Sequence, residues 1–250
     1  MLDTSWDKSG KWYKNIVGDE GHYYHQKIVL PNVLRLLGLK RGDSLLDLGC
    51  GQGILERQIP KDAYYVGMDL SSGLISEAIN LIASQNHRFV VADVSKPLPL
   101  EGSNFSHAAI ILALQNIKKP FGVVRNVKEH LKIGGKFVIV LNHPAFRIPK
   151  STSWEVDESN KIQYRRVDQY MTPLEIPILT NPGKTNSENT WSFHYPLSAY
   201  SEMLFDNGFV IEKIEEWVSD KKSTGSKAEM EDKSRNEFPL FMTILARKIL

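Results

Sequence analysis

The chain has 250 residues, of which 42% are hydrophobic, and its formal net charge is only +2. A chain of this length can bury a substantial core, so we expect one domain over residues 1–250. The balanced charge does not indicate a basic surface that would bind nucleic acid. No apolar run approaches the roughly 20 residues of a membrane-spanning helix. The single cysteine, Cys50, excludes an intramolecular disulfide and suits a reducing compartment. We expect a soluble, cytoplasmic protein with neither a nucleic-acid nor a membrane partner, and we predict no metal site.

Residues 1–40 are expected to form N-terminal helices that cap the domain. The stretch before Gly21 is largely polar, but it also contains Trp6, Trp12 and Tyr13. These are too many aromatic residues for a purely disordered tail. A largely apolar segment with helical spacing then runs to Leu37, and Pro31 breaks or restarts it.

The stretch from Ser44 to Gly53 reads Ser-Leu-Leu-Asp-Leu-Gly-Cys-Gly-Gln-Gly. Its leucines predict a strand that is buried on both faces, and the glycines follow at alternate positions. Glycine tolerates positive φ and lets a ligand approach the backbone, so the pattern predicts a ligand-cradling loop with a helix starting there. Taken alone, a Gly-x-Gly-x-Gly run is more often an ordinary loop than a site.

A second apolar run, Tyr64 to Met68, ends in Asp69, which lies 69 − 47 = 22 positions after Asp47. A nucleotide-binding βαβ unit offers a carboxylate to ribose hydroxyls at about this spacing. With its acid-x-Gly-x-Gly-x-Gly run, the segment resembles the class I S-adenosylmethionine-dependent methyltransferases. A nicotinamide enzyme fits less well, because its third glycine would fall at Ile54.

The resemblance implies an α/β fold with a doubly wound, seven-stranded, mainly parallel sheet, the Rossmann-like fold of this class, and a cofactor-binding core over residues 41–141. The implied cofactor is S-adenosylmethionine, bound where the carboxyl ends of the first strands meet. In enzymes of this class the N-terminal helix closes over the cofactor, although a structural role is the simpler interpretation of each N-terminal tyrosine. The candidate cofactor-binding residues are Tyr24, Asp47, Gly49, Cys50, Gly51, Gly53, Asp69, Leu70, Asp93, Val94, Ile110 and Gln115.

The rest of the core reads as alternating helices and strands. A helix is capped by Ser71 or Ser72 and runs to about residue 84, and a second helix covers 120–131. Strands are predicted at 88–92, at 105–114 and after the turn at Gly134 and Gly135. Asp93 follows the first of these strands, and an alternative to ligand binding is that it caps the strand end. The end of the 105–114 strand is expected to line the methyl-transfer site.

Residues 142–200 are predicted to be a substrate lid inserted after the fifth strand. They hold six of the 12 prolines and eight aromatic residues, whereas a disordered linker would be poor in aromatics. Their six cations match six acids, which favours a mainly apolar or aromatic small-molecule acceptor over a phosphate-rich partner. The alternative is that these aromatics form a homodimer surface. The candidate substrate-binding residues are Tyr13, Phe146, Arg147, Trp154, Tyr170 and Trp191.

Transfer to a hydroxyl group is the predicted reaction. Residues 142–146 imitate a motif of enzymes that methylate amino groups, but they follow the fifth strand rather than the fourth. Cys50 lies in the wrong loop to be the nucleophile of a cytosine-C5 enzyme. Imidazole titrates near neutrality, so His194 or His143 is the predicted general base, and the aromatic neighbours of His194 favour it. The alternative functions are a methyltransferase acting on RNA or protein and a non-catalytic S-adenosylmethionine-binding module.

Residues 201–250 are predicted to complete the sheet. A helix over 197–207 ends at Gly208, and two antiparallel strands follow at 209–218 and 239–247. The charge-dense run 219–237 between them is predicted to be a solvated excursion.

Overall fold

The computed structural model describes residue 18 and residues 21–101, 104–179 and 189–250. The strands are β1 (Ser44–Leu48), β2 (Tyr64–Asp69), β3 (His87–Val91), β4 (Phe105–Ile111), β5 (Leu131–Asn142), β6 (Thr152–Asp157), β7 (Ile162–Val167), β8 (Leu174–Leu179), β9 (Asn189–His194), β10 (Phe209–Trp217) and β11 (Phe241–Lys248). The α-helices are α1 (Leu30–Leu37), α2 (Ser72–Asn80), α3 (Pro120–His130), α4 (Leu197–Asp206) and α5 (Ala228–Glu237).

Seven strands form the central sheet in the order β3-β2-β1-β4-β5-β11-β10. The five strands from β1 to β5 are mutually parallel, and β11 runs antiparallel to both of its neighbours. The predicted doubly wound, mainly parallel sheet is therefore confirmed. The chain order reverses between β1 and β4, and open α/β sheets bind ligands at such a switch point, beyond the carboxyl ends of the strands.

Apolar side chains cover both faces of the sheet. Leu46 and Leu48 of β1 belong to the core that includes Val123 of α3, whereas Leu45 packs with Val33 of α1 on the other side. This alternation explains why β1 reads as a continuous apolar run: a strand between two helical layers is buried on both faces.

Local sequence signals set the helix ends. A π-helical turn, His25–Val29, leads into α1, and Pro31 lies in the first turn of α1, where a missing N–H costs little. The Ser71 side chain caps α2 by accepting a hydrogen bond from the Leu74 amide at 3.2 Å. In the described part of the chain, no helix has the length and apolar character needed to cross a membrane.

Two sequence predictions about helices are wrong. No α-helix starts after Gly53; turns continue to residue 55, and a single 3₁₀ turn, Glu56–Gln58, follows. The glycines hold left-handed conformations as far as Gly53, so only six residues remain before Pro60. The charged run 219–237 is also more ordered than predicted, because it contains α5.

The segment between β5 and α4 lies outside the central sheet. It contains two separate antiparallel pairs, β6 with β7 and β8 with β9. β9 packs against the 3₁₀ turn Leu114–Asn116 that follows β4, which brings the second pair to the carboxyl edge of the sheet.

Candidate active site

The glycine turn after β1 is fixed to the neighbouring strand. The Gly49 and Cys50 amides both donate to the Met68 carbonyl of β2, at 2.7 and 3.0 Å. Gly49 has φ +69°, and a Cβ placed on it would lie 2.5 Å from the Cβ of Ala113, which follows β4. No side chain fits there, so the turns after β1 and β4 meet at the switch point only because residue 49 is glycine.

The last glycine of the run is crowded from the other side. Gly53 has φ +77°, and a Cβ there would lie 2.6 Å from the Phe89 ring of β3. The glycine loop therefore lies against the end of β2, the turn after β4 and the Phe89 ring of β3, and its own shape is set by backbone conformation.

Asp69 ends β2 beside this loop. One carboxylate oxygen accepts from the Gly51 amide and the other from the Ser71 amide, both at 2.9 Å. The carboxylate is thus oriented by the glycine loop and by the start of α2, at the position where the sequence predicts ribose recognition. Leu70 beside it is 43% exposed and offers an apolar surface at the same edge.

Asp47 has a partner that the sequence analysis missed. The Tyr65 hydroxyl donates to the Asp47 carboxylate at 2.8 Å, and Asp47 stands opposite Gly67 in the register of β1 and β2. A Cβ on Gly67 would lie 2.7 Å from that hydroxyl, so this glycine makes room for the contact. Burial raises the pKa of Asp47 to about 7, against the effect of the Tyr65 hydrogen bond. Asp47 is 2% exposed, so its carboxylate lies in the interior beside the loop and is not an exposed ligand.

Cys50 stays a neutral thiol. Burial, followed by the nearby Asp47 and Asp69 carboxylates, raises its pKa well above the ordinary value. A reactive cysteine needs a lowered pKa, so this thiol has the wrong electrostatics for a nucleophile.

The remaining predicted cofactor residues differ in their exposure. Asp93 accepts from the Ser95 amide at 3.0 Å and pairs with Lys96 at 3.1 Å, which is the geometry of a strand-end cap. Val94 is 6% exposed, and Ile110 is 0% exposed in the centre of β4. The side chain of Ile110 therefore belongs to the core and offers no surface to a ligand.

The turn after β4 carries a polar atom without a partner. The Gln115 side-chain amide donates to the Leu112 carbonyl at 2.7 Å, while its Oε1 is buried and accepts no hydrogen bond. Leu112 itself has φ +54°, an uncommon conformation for a residue other than glycine. Gln115 Oε1 is one of eight such atoms among the described residues, and its place in the turn after β4 leaves it available to a donor on a ligand.

Residues that precede the first helix contact the glycine loop. The Gln52 side chain donates to the Gly18 carbonyl, and a Cβ on Gly21 would lie 3.3 Å from Ile54. Tyr24 is anchored further along: its hydroxyl lies 3.0 Å from Ser219 Oγ, and its ring packs edge-on against Phe241. The predicted substrate residue Tyr13 lies outside the described residues.

His143 has protein partners at both ring nitrogens. Its Nε2 lies 2.6 Å from the Glu216 carboxylate, and the Ala145 and Phe146 amides donate to Nδ1 at 3.2 and 3.3 Å. The imidazole thus holds the turn that leaves β5 and has no ring nitrogen left to receive a substrate proton.

His194 ends β9 and has a different arrangement. Its Nε2 donates to the Tyr170 carbonyl at 2.7 Å, because a carbonyl only accepts, and the lone pair is thereby placed on Nδ1. Burial lowers its pKa, although the hydrogen bond to Tyr170 acts in the opposite direction. The imidazole is therefore neutral at pH 7. Tyr170 is itself tied to α4, since its hydroxyl accepts from the Leu197 amide at 3.0 Å.

The other predicted substrate residues lie in the turn after β5 and on the two antiparallel pairs. Phe146 and Trp154 both pack edge-on against Phe238, with ring centroids 5.4 Å apart in each case. Trp191 lies on β9 and is half-buried. The structure therefore brings Phe146 and Trp154 together and leaves Trp191 with the second pair, near the Leu114–Asn116 turn.

These residues fit a bound S-adenosylmethionine. The edge offers a glycine turn without side chains, an oriented carboxylate at Asp69, and the buried, unpartnered Gln115 Oε1. Such an edge suits an extended ligand that carries both hydroxyl and amino groups. In the described residues, no group of three or more His, Cys, Asp and Glu side chains is arranged to hold a metal ion.

Comparison with known proteins supports a class of enzyme. Residues 46–139 match the model of the family described as "Methyltransferase domain". Together with the fold and the glycine edge, this match supports a class I S-adenosylmethionine-dependent methyltransferase domain, with S-adenosylmethionine as the cofactor that its residues fit.

Particular relatives are distant. The chain is similar to an S-adenosylmethionine-dependent methyltransferase from Mesorhizobium loti, with 25% identity, a TM-score of 0.68, and coverage of 87% of this chain and 96% of that one. A putative methyltransferase of the same kind from Listeria monocytogenes has 25% identity and a TM-score of 0.68 over 88% and 96% of the two chains. Demethylmenaquinone methyltransferase from Staphylococcus aureus is 25% identical over 128 residues, or 50% of this chain and 52% of the relative. The chain thus spans about half the length of the curated relatives that it matches.

Proposed function

We propose that the chain transfers a methyl group from S-adenosylmethionine to a hydroxyl oxygen of a small molecule that is mainly apolar or aromatic. The observation that carries this proposal is the meeting of two regions at one sheet edge. The glycine turn lies against Ala113 after β4, and β9 lies against the Leu114–Asn116 turn beside it. The cofactor edge and the aromatic segment 142–200 therefore flank the same turn, which supports a role for that segment as the lid over an acceptor.

The bound cofactor supplies a methyl group on a sulfonium, and this chain's residues place an oxygen in line with it. Holding two reactants in such a geometry accounts for a large part of the acceleration. A hydroxyl oxygen must also lose its proton as the carbon–oxygen bond forms. We assign that proton to His194 Nδ1, because the Tyr170 carbonyl fixes the tautomer and the neutral imidazole is free to accept.

His143 is not part of this proposal. Its Nδ1 receives two backbone amides and its Nε2 faces Glu216, so the imidazole shapes the turn at 143–147. His194 and His143 thus form a matched pair of buried histidines in the same segment, one with an available lone pair and one without.

The test is a transfer assay with radiolabelled methyl. Purified chain and labelled S-adenosylmethionine are incubated with extracted metabolites, with total RNA, or with total protein from the same cells. The expected result is label in small molecules that are extracted into organic solvent at acidic pH, in an alkali-stable methyl ether. Label confined to the RNA or protein fraction would contradict the acceptor class, and the absence of transfer to all three fractions would contradict the activity.

A further inference from the structure

The segment that leaves β5 carries an arginine without a carboxylate partner. Arg147 is exposed, and its guanidinium makes no hydrogen bond or ion pair with any described residue. Other arginines behave differently: Arg35 and Arg166 each pair with an acid, at 2.5 and 2.8 Å. An arginine normally finds a carboxylate or a phosphate, because its fork of donors matches their geometry.

A second arginine lies beside it and also lacks an acid. Arg165 of β7 donates to the Phe146 carbonyl at 2.8 Å and to Thr152 Oγ1 at 2.7 Å, which are both neutral oxygens. Phe146 directly precedes Arg147, so the hydrogen bond to its carbonyl brings the Arg165 guanidinium to the backbone beside Arg147. Burial lowers the pKa of Arg165, and repulsion from Arg147 acts in the same direction. Two neighbouring cations without an acid make this a place that attracts an anion.

The surroundings of this pair are aromatic. Arg165 lies over the Trp154 ring, 5.1 Å from its centroid, and Trp154 stands opposite Arg165 in the register of β6 and β7. Phe146 and Phe238 complete the cluster. A ligand with an aromatic or apolar body and an anionic group would therefore meet both of its requirements here.

The pair is also connected to the proposed site. Residues 143–147 directly follow β5, which is the neighbour of β4 and contacts the Leu114–Asn116 turn. The pair thus lies near the carboxyl end of β5, the strand that contacts the turn after β4.

We infer that Arg147 and Arg165 bind an anionic group of the methyl acceptor, a carboxylate or a phosphate, so that the substrate class is an apolar or aromatic acid with a hydroxyl. This inference rests on the proposed function and deepens it. The cation and acid counts of residues 142–200 are balanced, but the balance hides a local excess of cations, because Glu158 and Glu175 pair with lysines outside the segment, Lys227 and Lys118.

The experiment observes the arginine side chains directly. The ¹⁵N-labelled chain with bound S-adenosylhomocysteine is titrated with benzoate, phenyl phosphate and the neutral analogue benzamide, and the arginine Nε–Hε resonances are followed. We expect saturable shifts at Arg147 and Arg165 with the two anions and none with benzamide, and the tighter anion distinguishes a carboxylate from a phosphate. Equal shifts with benzamide, or no shift at either arginine, would overturn the inference.

Matched variants complete the test. Arg147→Gln should weaken binding of the better anion by about 10-fold to 100-fold, as expected for a lost charge-assisted hydrogen bond. Arg166 follows Arg165 in the chain and pairs with Asp168, so Arg166→Gln is the matched control. This variant should change the affinity for the same anion by less than about twofold. Equal effects of the two variants would contradict the assignment. A neutral acceptor identified in the transfer assay would also refute this inference while leaving the proposed activity intact. Anion binding at the two arginines without methyl transfer to any fraction would refute the proposed activity while leaving the anion site intact.

Discussion

The glycine edge and the segment 142–200, the two regions of the proposed site, are built by different physical means. At the glycine edge the backbone sets the shape, since Gly49 and Gly53 have no room for a Cβ and the Asp69 carboxylate is oriented by two amides. In segment 142–200 the proposed site consists of side chains on two antiparallel pairs, such as His194, Trp154 and Arg165. We therefore expect the first region to bind the cofactor and the second to select the acceptor. Variants should separate the two, with cofactor affinity lost in one region and turnover lost in the other.

The largest effect is expected at His194. His194→Gln removes the proton acceptor, and a general base contributes typically about 10² to 10⁴-fold, so single-turnover transfer should fall by that factor while cofactor affinity stays unchanged. The wild-type rate should rise with pH and level off, with a midpoint below the ordinary histidine value, because burial lowers the pKa of His194. The variant should lose this dependence.

His143→Gln is the control for that experiment. It should change the rate by less than about tenfold and keep the wild-type pH profile. If both variants lose less than about tenfold in rate and keep the wild-type pH profile, neither histidine is the base, and the acceptor is already ionised or otherwise nucleophilic.

Gly49→Ala tests the opposite region. The left-handed φ costs about 1–2 kcal/mol for a residue with a Cβ, and the overlap with Ala113 costs roughly 1–3 kcal/mol more. S-adenosylhomocysteine affinity, measured by calorimetry, should fall by about 100-fold or more. Gly134→Ala has a similar φ of +78° but open space around it, so it should bear the strain without losing affinity. Similar losses in both variants would mean that backbone strain alone, and not the meeting of the two turns, governs the site.

Asp69→Ala should have a somewhat smaller effect on the same affinity. A charge-assisted hydrogen bond contributes about 1.5–3 kcal/mol, so each bond to a ribose hydroxyl should account for about 10-fold to 100-fold. Asp62→Ala removes an exposed acid that pairs with Arg41 and serves as the control. Calorimetry that shows wild-type affinity for Asp69→Ala would refute ribose recognition by this carboxylate.

A further prediction concerns the pH dependence of stability and not binding or turnover. The folded-state pKa of Asp47 is raised from 3.8 to about 7, so the folded protein holds this proton more tightly than the unfolded chain does. The stability linked to Asp47 is therefore complete below the unfolded value and is lost as pH rises through about 7. Asp47→Asn cannot titrate, and its stability relative to wild type should increase by about 2–3 kcal/mol between pH 5 and pH 8.

The comparison with wild type is needed because other groups titrate as well. His25 has its pKa lowered to about 4 by burial, which makes stability rise with pH over part of the same range. It is present in both proteins and cancels in the difference. A difference in denaturant-measured stability that does not change with pH would mean that Asp47 is ionised throughout.

Much of the fold could be predicted because its signals are local. The apolar run of β1, the Ser71 cap of α2 and the stop at Gly208 depend on neighbouring residues, and they lead to the observed sheet. The helix expected after Gly53 is absent for a local reason too. The glycines with positive φ extend to Gly53, and too few residues remain before Pro60 to form an α-helix. The spacing between Asp47 and Asp69 likewise corresponds to two neighbouring strands, β1 and β2, whose ends lie beside the glycine loop.

The candidate site was less predictable because its contacts join distant residues. His143 meets Glu216 across 73 positions, and Tyr24 meets Ser219 across 195. Nothing in the residue types distinguishes His143 from His194; only their partners do. One feature of the sequence could have indicated the Tyr65 contact with Asp47. It is the glycine at 67, which stands opposite Asp47 in the register of β1 and β2.

The central claim, that the glycine edge is an S-adenosylmethionine site, is tested most directly by calorimetric titration of the wild-type chain. S-adenosylmethionine and S-adenosylhomocysteine should each bind once per chain, whereas the nicotinamide dinucleotide NAD should produce no heat of binding and should not compete. Binding of NAD in place of S-adenosylmethionine, or the absence of binding by S-adenosylmethionine and S-adenosylhomocysteine alike, would contradict this account.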